Sequence, residues 1–201
     1  GSPARLLQAF DRFDESAADR ELEESLAIRS LERSVEELLL PALEMAARRP
    51  NHEAELEHAC RWATGWLHSA RRLVATASLP EGVLLLDSGS PLGPEAVFVQ
   101  TLELFLRRVG LRVLLLSADL PEQRFANALR ALRPVVIVLC GEAASLDVLG
   151  GPLKRALRSS GSARVVGYRA AQLVAGRRGV PLLGSRPGEA TDRLLASLHP
   201  A

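Results

Sequence analysis

The chain has 201 residues, of which 47% are hydrophobic and 24% are charged, and its formal net charge is +1. This is ordinary globular composition, and the balanced charge argues against a nucleic-acid-binding surface or an acidic tail.

The two distant cysteines, Cys60 and Cys140, form neither a disulfide framework nor a metal cluster, so we expect a protein of the reducing cytoplasm. No apolar run approaches the roughly 20 residues that cross a bilayer, and no charged-then-apolar leader opens the sequence. Gly1-Ser2 is typical of a cleavage scar left by recombinant expression, so the natural protein is expected to extend further upstream.

Residues 3–78 are predicted to form a bundle of four helices, since glycine is nearly absent there while Leu, Ala, Glu and Arg dominate. Apolar residues recur at helical spacing, at Leu6, Leu7, Phe10 and Phe13, at Leu22, Leu26 and Ile28, and at Leu38, Leu39, Leu40, Leu43 and Ala46. Pro41 is expected to kink the third helix or to mark a restart. Asn51 is expected to cap a last helix that runs from His52 to about Ala77.

Residues 82–199 are predicted to form a flavodoxin-like, doubly wound α/β domain with a five-stranded parallel sheet. The predicted strands are Val83–Leu86, Val113–Leu116, Val135–Leu139, Val165–Gly167 and Val180–Leu183. The predicted helices are Pro94–Val109, Pro121–Leu132, Leu146–Ser159, Ala170–Ala175 and Pro187–Leu198. Continuous apolar runs are typical of parallel strands that helices cover on both faces. A ligand is expected at the carboxyl ends of the strands near the topological switch point, at Asp87–Gly93, Cys140–Glu142 and Gly167–Arg169.

Three segments resemble the cobalamin-binding domain family. Residues 31–43 resemble the family's E-x-x-L-x-P-x-L segment, and residues 116–121 resemble its L-G-A-D-x-P segment. Glu57-His58 falls where MerR-type light-responsive transcriptional repressors carry a Glu-His pair over the upper face of the corrin. A helical bundle followed by this kind of sheet, over nearly the whole chain, looks closest to the sensor region of those repressors. It is also similar to the corrinoid proteins of methyl transfer and to the cobalamin half of methionine synthase.

The loop after the first predicted strand departs from the family's pattern. The family carries Asp or Glu, x, His, x, x and Gly there, and the resemblance places Ser88 at the acid, Ser90 at the histidine and Gly93 at the glycine. A serine hydroxyl is a poor ligand for cobalt, for which an imidazole nitrogen is suitable. The carboxylate that would orient the imidazole is missing as well.

The channel for the nucleotide tail of cobalamin departs from the family's pattern at two further places. After the third strand the family's Ser-x-Leu is replaced by Cys140-Gly141-Glu142, which puts an acidic group near an apolar channel. After the fourth strand its Gly-Gly pair is replaced by Gly167-Tyr168, so a phenol ring stands where the family tolerates no side chain. Ala47 stands where the repressors place a Trp, ten residues before the Glu-His pair. The resemblance therefore implies that the base-off, histidine-on binding of cobalamin is lost.

Five side chains each have two interpretations. His58 is either an upper ligand of cobalamin or another tetrapyrrole, or a helical histidine satisfied by a neighbour, which we favour. Cys60 lies on a different helix face from His58 and is predicted to be a buried structural thiol. Cys140 is predicted to be a small hydrophobe in the tail channel rather than a reactive thiol. Trp62 and Trp66 share a helix face and are predicted to be core or dimer-interface residues rather than a stacking platform.

The predicted function is a non-enzymatic sensor or oligomerisation module of a transcriptional regulator, descended from a cobalamin photoreceptor and without a cofactor. We expect a homo-oligomer that contacts DNA only through a domain outside this sequence, with a regulatory protein as a candidate partner and no membrane association. One alternative is an active sensor that holds cobalamin or another tetrapyrrole between His58 and the loop at Ser90. The other is a corrinoid methyl-transfer subunit, ranked last because cobalt reactivity there depends on the missing loop. No nucleophile, base and orienting group can be assembled from spacing, so no catalytic site is predicted.

Overall fold

The computed structural model describes residues 1–118, 120–141, 163–169 and 180–199. Contacts divide the chain into two compact units, one of Gly1–Leu73 with Pro91–Thr101 and the other of Val74–Ser90 with Leu102–Ala201. We call the first the helical unit and the second the sheet unit. No helix within the described ranges is long and apolar enough to cross a membrane.

Three helices of residues 1–73, α1 to α3, begin where a side chain caps them. The helical elements of these residues are α1 Pro3–Asp11, α2 Glu15–Leu26, α3 Leu31–Ser34, a π turn over Val35–Leu39, α4 Leu40–Ala47 and α5 Glu53–Arg72. The side chains of Ser2, Asp14 and Ser30 accept hydrogen bonds from the backbone N–H groups of Arg5, Ala17 and Arg33. Caps of this kind satisfy donors that the first turn of a helix leaves unpaired, and they fix where α1, α2 and α3 start.

Pro41 lies within a continuous helical stretch over residues 31–47 that passes through the π turn. Proline has no N–H group, and in a regular α-helix its ring clashes with the carbonyl four residues earlier. The backbone widens just before it, because the N–H of Leu40 donates to the carbonyl of Val35, five residues back. The predicted disruption at Pro41 is therefore a single π turn, after which the α-helix restarts.

The prediction that Asn51 caps the last helix of this segment is wrong. Helix α5 begins at Glu53, its cap is His52 without a side-chain hydrogen bond, and Asn51 adopts a left-handed φ of +60°. Asn51 thus closes the preceding turn, a position for which asparagine is one of the better residues. The helix also ends at Arg72, five residues before the predicted end, and the N–H groups of Ser78 and Leu79 donate to the carbonyl of Gly110 instead.

Leucine and phenylalanine side chains form the core of the helical unit. No more than 2% of the surface is exposed for Leu6, Phe10, Leu22, Val35, Leu38, Leu39, Leu43 and Leu67. The hydroxyls of Ser25 and Ser34 lie within this apolar interior, and they are hydrogen-bonded to each other at 3.0 Å. Because a buried hydroxyl without a partner is costly, this mutual bond lets both serines remain inside.

The sheet unit has four described parallel strands in the order β2-β1-β3-β4. The element bounds are β1 Gly82–Asp87, α6 Pro94–Arg108, β2 Arg112–Ser117, α7 Glu122–Leu132, β3 Pro134–Cys140, β4 Arg164–Gly167 and α8 Pro187–Leu198. Helix α6 starts in the helical unit and ends in the sheet unit. Val83, on the central strand β1, pairs with Val113 of β2 and Val136 of β3 and is fully buried. The strand order agrees with the first four positions of the flavodoxin-like order 2-1-3-4-5.

The predicted fifth strand over Val180–Leu183 is not confirmed, because only Leu182 forms a parallel bridge, to Gly167. The N–H of Gly167 donates to the carbonyl of Pro181 at 2.9 Å, and the N–H of Leu183 donates back to the carbonyl of Gly167 at 2.9 Å. Pro181 has no N–H with which to extend this ladder. Gly184, with a φ of +99°, then turns the chain out of the extended conformation.

Helix α7 packs on one face of the sheet through an apolar cluster of Leu84, Leu86, Phe125, Leu129, Ile137 and Leu139. Helix α8 begins at Pro187 and ends at Leu198, as predicted. The predicted helices at Leu146–Ser159 and Ala170–Ala175 lie outside the described residues, as do Asp119 and Glu142.

Candidate functional site

The topological switch point of the sheet lies at the carboxyl ends of β1 and β3. The chain leaves β1 to form β2 on one side and then returns to form β3 on the other side, so the connections diverge at these two strand ends. Asp87, the last residue of β1, is in register with Cys140, the last residue of β3. Sheets of this class bind ligands in the crevice between such strand ends. The loops that follow Asp87 and Cys140 are therefore the first candidate site.

The loop after β1 is tied to the end of β3 by hydrogen bonds. Both the backbone N–H and the hydroxyl of Ser88 donate to the carbonyl of Cys140, each at 3.1 Å. The side chain of Asp87 stabilises the turn that follows β1, since its Oδ1 accepts a hydrogen bond from the N–H of Gly89 at 2.9 Å. The first two residues after β1 are thus fixed against β3.

Gly141 allows this close approach, and the sequence analysis assigned it no role of its own. Its φ is +95°, which side-chain-bearing residues rarely adopt. A Cβ atom at this position would overlap the backbone nitrogen of Gly89 and lie 2.7 Å from the hydroxyl of Ser88. Gly141 and the start of the loop after β1 therefore touch through backbone atoms, which leaves no crevice between Gly89 and Gly141. The only sequence signal was a glycine directly after a buried strand.

The end of β4 carries a large side chain in the protein interior. Tyr168 follows β4, is 0% exposed, and donates its N–H to the carbonyl of Leu139 at 3.0 Å. Gly167, the last residue of β4, is buried as well and forms the parallel bridge to Leu182. Cys140 on the neighbouring strand is also 0% exposed, and its Sγ lies 3.8 Å from the carbonyl oxygen of Val138. Both side chains that the sequence analysis placed in the tail channel are thus enclosed by protein.

The remaining predicted loop residues lie outside this enclosed cluster. Ser90 is exposed, while Gly93 is half-buried and precedes α6, where its carbonyl accepts the N–H of Val97 at 3.3 Å. A Cβ atom built at Gly93 has no neighbour within 4 Å. The structure therefore brings Ser88 and Cys140 together and leaves Ser90 in solvent.

Glu57 and His58 lie on α5 in the helical unit. Glu57 is exposed and accepts hydrogen bonds at 2.9 and 2.7 Å from Arg61, four residues further along α5. The ring of His58 packs at 5.2 Å from that of Phe13. Its Nε2 atom is buried and has no hydrogen-bond partner within the described part of the chain. The neighbour that was predicted to satisfy the His58 ring is therefore not found at this nitrogen.

The side chains of Trp62 and Cys60, also on α5, pack within the helical unit. Trp62 is half-buried, its ring lies 5.5 Å from that of Phe10, and its Nε1–H donates to the Oδ1 of Asp19 at 3.1 Å. Cys60 is 2% exposed, and burial raises the pKa of its thiol from 9.0 to about 11. Within the described ranges, no three His, Cys, Asp or Glu side chains come together in a way that could hold a metal ion. Because burial raises the pKa of the Cys60 thiol, this thiol is not an activated nucleophile.

No protein-family model matches the chain, and no curated protein matches it in sequence. Among solved structures, it is similar to the monomethylamine corrinoid protein of Methanosarcina barkeri, with a TM-score of 0.73, 12% identity and 96% of both chains covered. A cobalamin-binding protein from Desulfitobacterium hafniense DCB-2 matches at a TM-score of 0.48 and 16% identity, over 94% of this chain and 95% of that one. The methanol:cobalamin methyltransferase complex of Methanosarcina barkeri matches at 0.49 and 12% identity, over 98% of this chain and 79% of that one. The first of these establishes the fold: a mixed α/β chain with the parallel sheet of a corrinoid protein.

Proposed function

We propose that this chain is a non-enzymatic sensor and oligomerisation module of a transcriptional regulator, built on the fold of a corrinoid protein but closed to base-off cobalamin. The fold is supported by the likeness to the monomethylamine corrinoid protein. The regulatory role is supported by the resemblance of Glu57-His58 and of residues 31–43 to the sensor region of light-responsive repressors. DNA would be bound by a domain outside this sequence.

The buried Tyr168 is the observation that carries the proposal. The resemblance implies that the nucleotide tail of cobalamin passes close to the backbone where Tyr168 follows β4. Its side chain is instead fully buried, among the largest that are completely enclosed. Protein interiors are packed closely enough that a ring and a nucleotide cannot share this space.

The loop after β1 does not fit the cofactor either. Ser90, at the family's histidine position, is exposed and offers a hydroxyl where cobalt requires a nitrogen. Ser88, at the position of the orienting carboxylate, donates its hydroxyl to the carbonyl of Cys140. Neither side chain supplies or orients a lower ligand.

A regulatory role is preferred to methyl transfer because Ser88 and Ser90 provide no lower ligand for cobalt. A methyl-transfer subunit depends on controlled ligation of cobalt, and the loop that would provide it carries Ser88 and Ser90. The thiol of Cys60, with its pKa raised to about 11, is no substitute nucleophile near neutral pH.

The proposal predicts that the protein does not retain adenosylcobalamin. After incubation with excess adenosylcobalamin in the dark, gel filtration should give a protein peak without corrin absorbance. A variant that combines Ser88→Glu, Ser90→His and Tyr168→Gly restores the imidazole, its carboxylate and the open channel, and is expected to co-elute with the cofactor. Tyr168→Gly alone should allow weak retention, because it removes the ring without providing the nitrogen. Stoichiometric co-elution with the wild-type chain would refute the proposal.

The second candidate is a sensor that binds a tetrapyrrole through His58, and it is favoured because the buried Nε2 atom of this residue has no hydrogen-bond partner among the described residues. If wild-type protein binds hydroxocobalamin or haemin, His58→Ala should abolish the ligand's spectral shift. His68→Ala is the matched control, because His68 is an exposed histidine on the same helix. Equal spectra for both variants would exclude His58 as the ligand.

A further inference from the structure

We propose that a groove between α1 and α2 binds a small organic anion that carries phosphate or carboxylate groups. The groove has a volume of about 230 Å³ and is formed by residues of these two helices and of the connection between them, all within the helical unit. Anion binding there goes beyond the proposed function and does not depend on it, because the exclusion of cobalamin rests on residues of the sheet unit.

The shape of the groove follows from the packing of two helices that are joined by a short connection. Only residues 12–14 separate α1 from α2, and so short a connection makes the two helices antiparallel neighbours. At the base of the groove lie two small side chains, those of Ala9, which is 4% exposed, and Ala17, which is half-buried. Longer side chains at these positions would fill the space, so the alanines keep the groove open.

The carboxylates of the groove already have partners. Glu21, which is only 5% exposed, contacts the guanidinium of Arg5 at 2.5 Å, and Glu24 lies 3.7 Å from the same guanidinium. The Oδ1 atom of Asp14 accepts the N–H of Ala17 at 2.9 Å as the cap of α2. Arg5 is therefore engaged by the acidic side chains at its own end of the groove.

Two arginines of the groove have no side-chain partner among the described residues. Arg12 and Arg20 line the groove and are exposed, and in the described ranges their guanidinium groups form neither a hydrogen bond nor an ion pair. Each guanidinium presents five N–H donors in a rigid fork that fits the oxygen atoms of a carboxylate or a phosphate. The unsatisfied groups of the groove are thus cationic donors, which form their strongest hydrogen bonds with an anion.

The size of the groove limits the ligand to a small molecule. Pockets that take drug-sized ligands have volumes of about 300–1,000 Å³, and this groove is smaller than that range. Both arginines are exposed, so the bound anion would remain partly hydrated and its affinity would fall as the ionic strength rises. A small organic phosphate or carboxylate meets both conditions.

Isothermal titration calorimetry of the full chain at low ionic strength tests the site with two probes, sodium pyrophosphate and sodium citrate. Saturable binding of one anion per chain, weakened by added salt, is expected for at least one of them. The probe that binds more tightly identifies the natural ligand as phosphate-bearing or carboxylate-bearing. If neither probe shows saturable binding, the proposal is overturned.

Variants that change the charge of the groove should alter the affinity in opposite directions. Arg12→Gln and Arg20→Gln each remove one charged donor and should weaken binding about tenfold. Asp14→Asn removes a negative charge and retains a residue that caps helices equally well, so it should strengthen binding about twofold. Arg48→Gln is the matched control, because Arg48 is an exposed arginine of the helical unit that does not line the groove. Its affinity should equal that of the wild type.

Ala17→Leu is an independent variant that fills the groove and leaves both arginines in place. It is expected to abolish binding, whereas a nonspecific attraction of anions to surface arginines would persist. Thermal unfolding followed by circular dichroism checks that each variant remains folded. The site is overturned if Arg48→Gln weakens binding as much as the groove variants do. It is also overturned if folded Ala17→Leu protein binds the probe like the wild type.

Discussion

The chemistry open to individual side chains in this protein is limited by burial. Cys60 and Cys140 are 2% and 0% exposed, and Tyr168 is enclosed completely. Burial in apolar surroundings disfavours the charged form of a thiol, and for Cys60 it raises the pKa from 9.0 to about 11. These residues therefore contribute volume to the interior rather than reactivity.

The raised pKa of Cys60 predicts a loss of stability at alkaline pH. A thiol whose pKa is higher in the folded state remains protonated there while the unfolded chain ionises, so its contribution is intact below pH 9 and is lost towards pH 11. Over that interval the free energy of unfolding should fall by up to about 1.4 kcal/mol per pH unit on account of this group. Urea unfolding at several pH values measures it. Cys60→Ala is the control, and an equally steep decline in that variant would contradict the prediction.

Helices α5 and α6 each carry a Glu-Arg pair at i and i+4, and the two pairs lie in different surroundings. On α5, Glu57 and Arg61 are 57% and 59% exposed and lie 2.7 Å apart. On α6, the side chain of Glu103 is 3% exposed, and Arg107 contacts it at 2.8 Å while also donating to the carbonyl of Val113 on β2 at 2.5 Å. The α6 pair thus joins its helix to a strand, whereas the α5 pair stays at the surface.

Removing the arginine should therefore have very different effects in the two helices. Arg107→Leu leaves the carboxylate of Glu103 buried without this partner and is expected to cost about 3 kcal/mol of the free energy of unfolding. Arg61→Leu, the matched control, should cost no more than about 0.5 kcal/mol, because the exposed pair is solvated with or without its arginine. Chemical denaturation of the two variants measures the difference. Equal losses would show that burial of Glu103 does not decide the strength of the pair.

At the scale of the whole molecule, a corrinoid-protein fold is maintained at 12% identity to the monomethylamine corrinoid protein. Apolar strand residues that pair in register, such as Val83 with Val113, are sufficient for the sheet, whereas a ligand site needs specific side chains at a few strand ends. The fold can therefore persist whichever side chains stand at the ends of β1, β3 and β4.

Self-association is the prediction that concerns the whole molecule. The helical unit leaves several large apolar side chains in solvent, with Phe13 52% exposed, Ile28 76% and Leu73 88%. We expect a second copy of the chain to cover such exposed apolar side chains. Light scattering should give at least twice the chain mass of 21.7 kDa without added ligand. The monomer mass at micromolar concentration would contradict this prediction.

The sequence by itself determined where most of the described strands and the last helix lie. Continuous apolar runs predicted β1, β2 and β3 to within a residue at each end, because a buried parallel strand must be apolar along its whole length. Helix α8 was predicted to start at Pro187, which is favoured in a first helical turn where no N–H is needed. These are local rules, and neighbouring residues are sufficient to apply them.

Tertiary structure alone decided the state of the candidate site. Ser88 and Cys140 are 52 residues apart in sequence, and their hydrogen bond follows from the register of β1 and β3, which no local pattern encodes. Gly141 is a glycine because another loop passes against it, and Asn51 takes a left-handed conformation where a helix cap was predicted. A motif shows which residue stands at a position, but whether that residue is open to a ligand depends on what the rest of the chain packs against it.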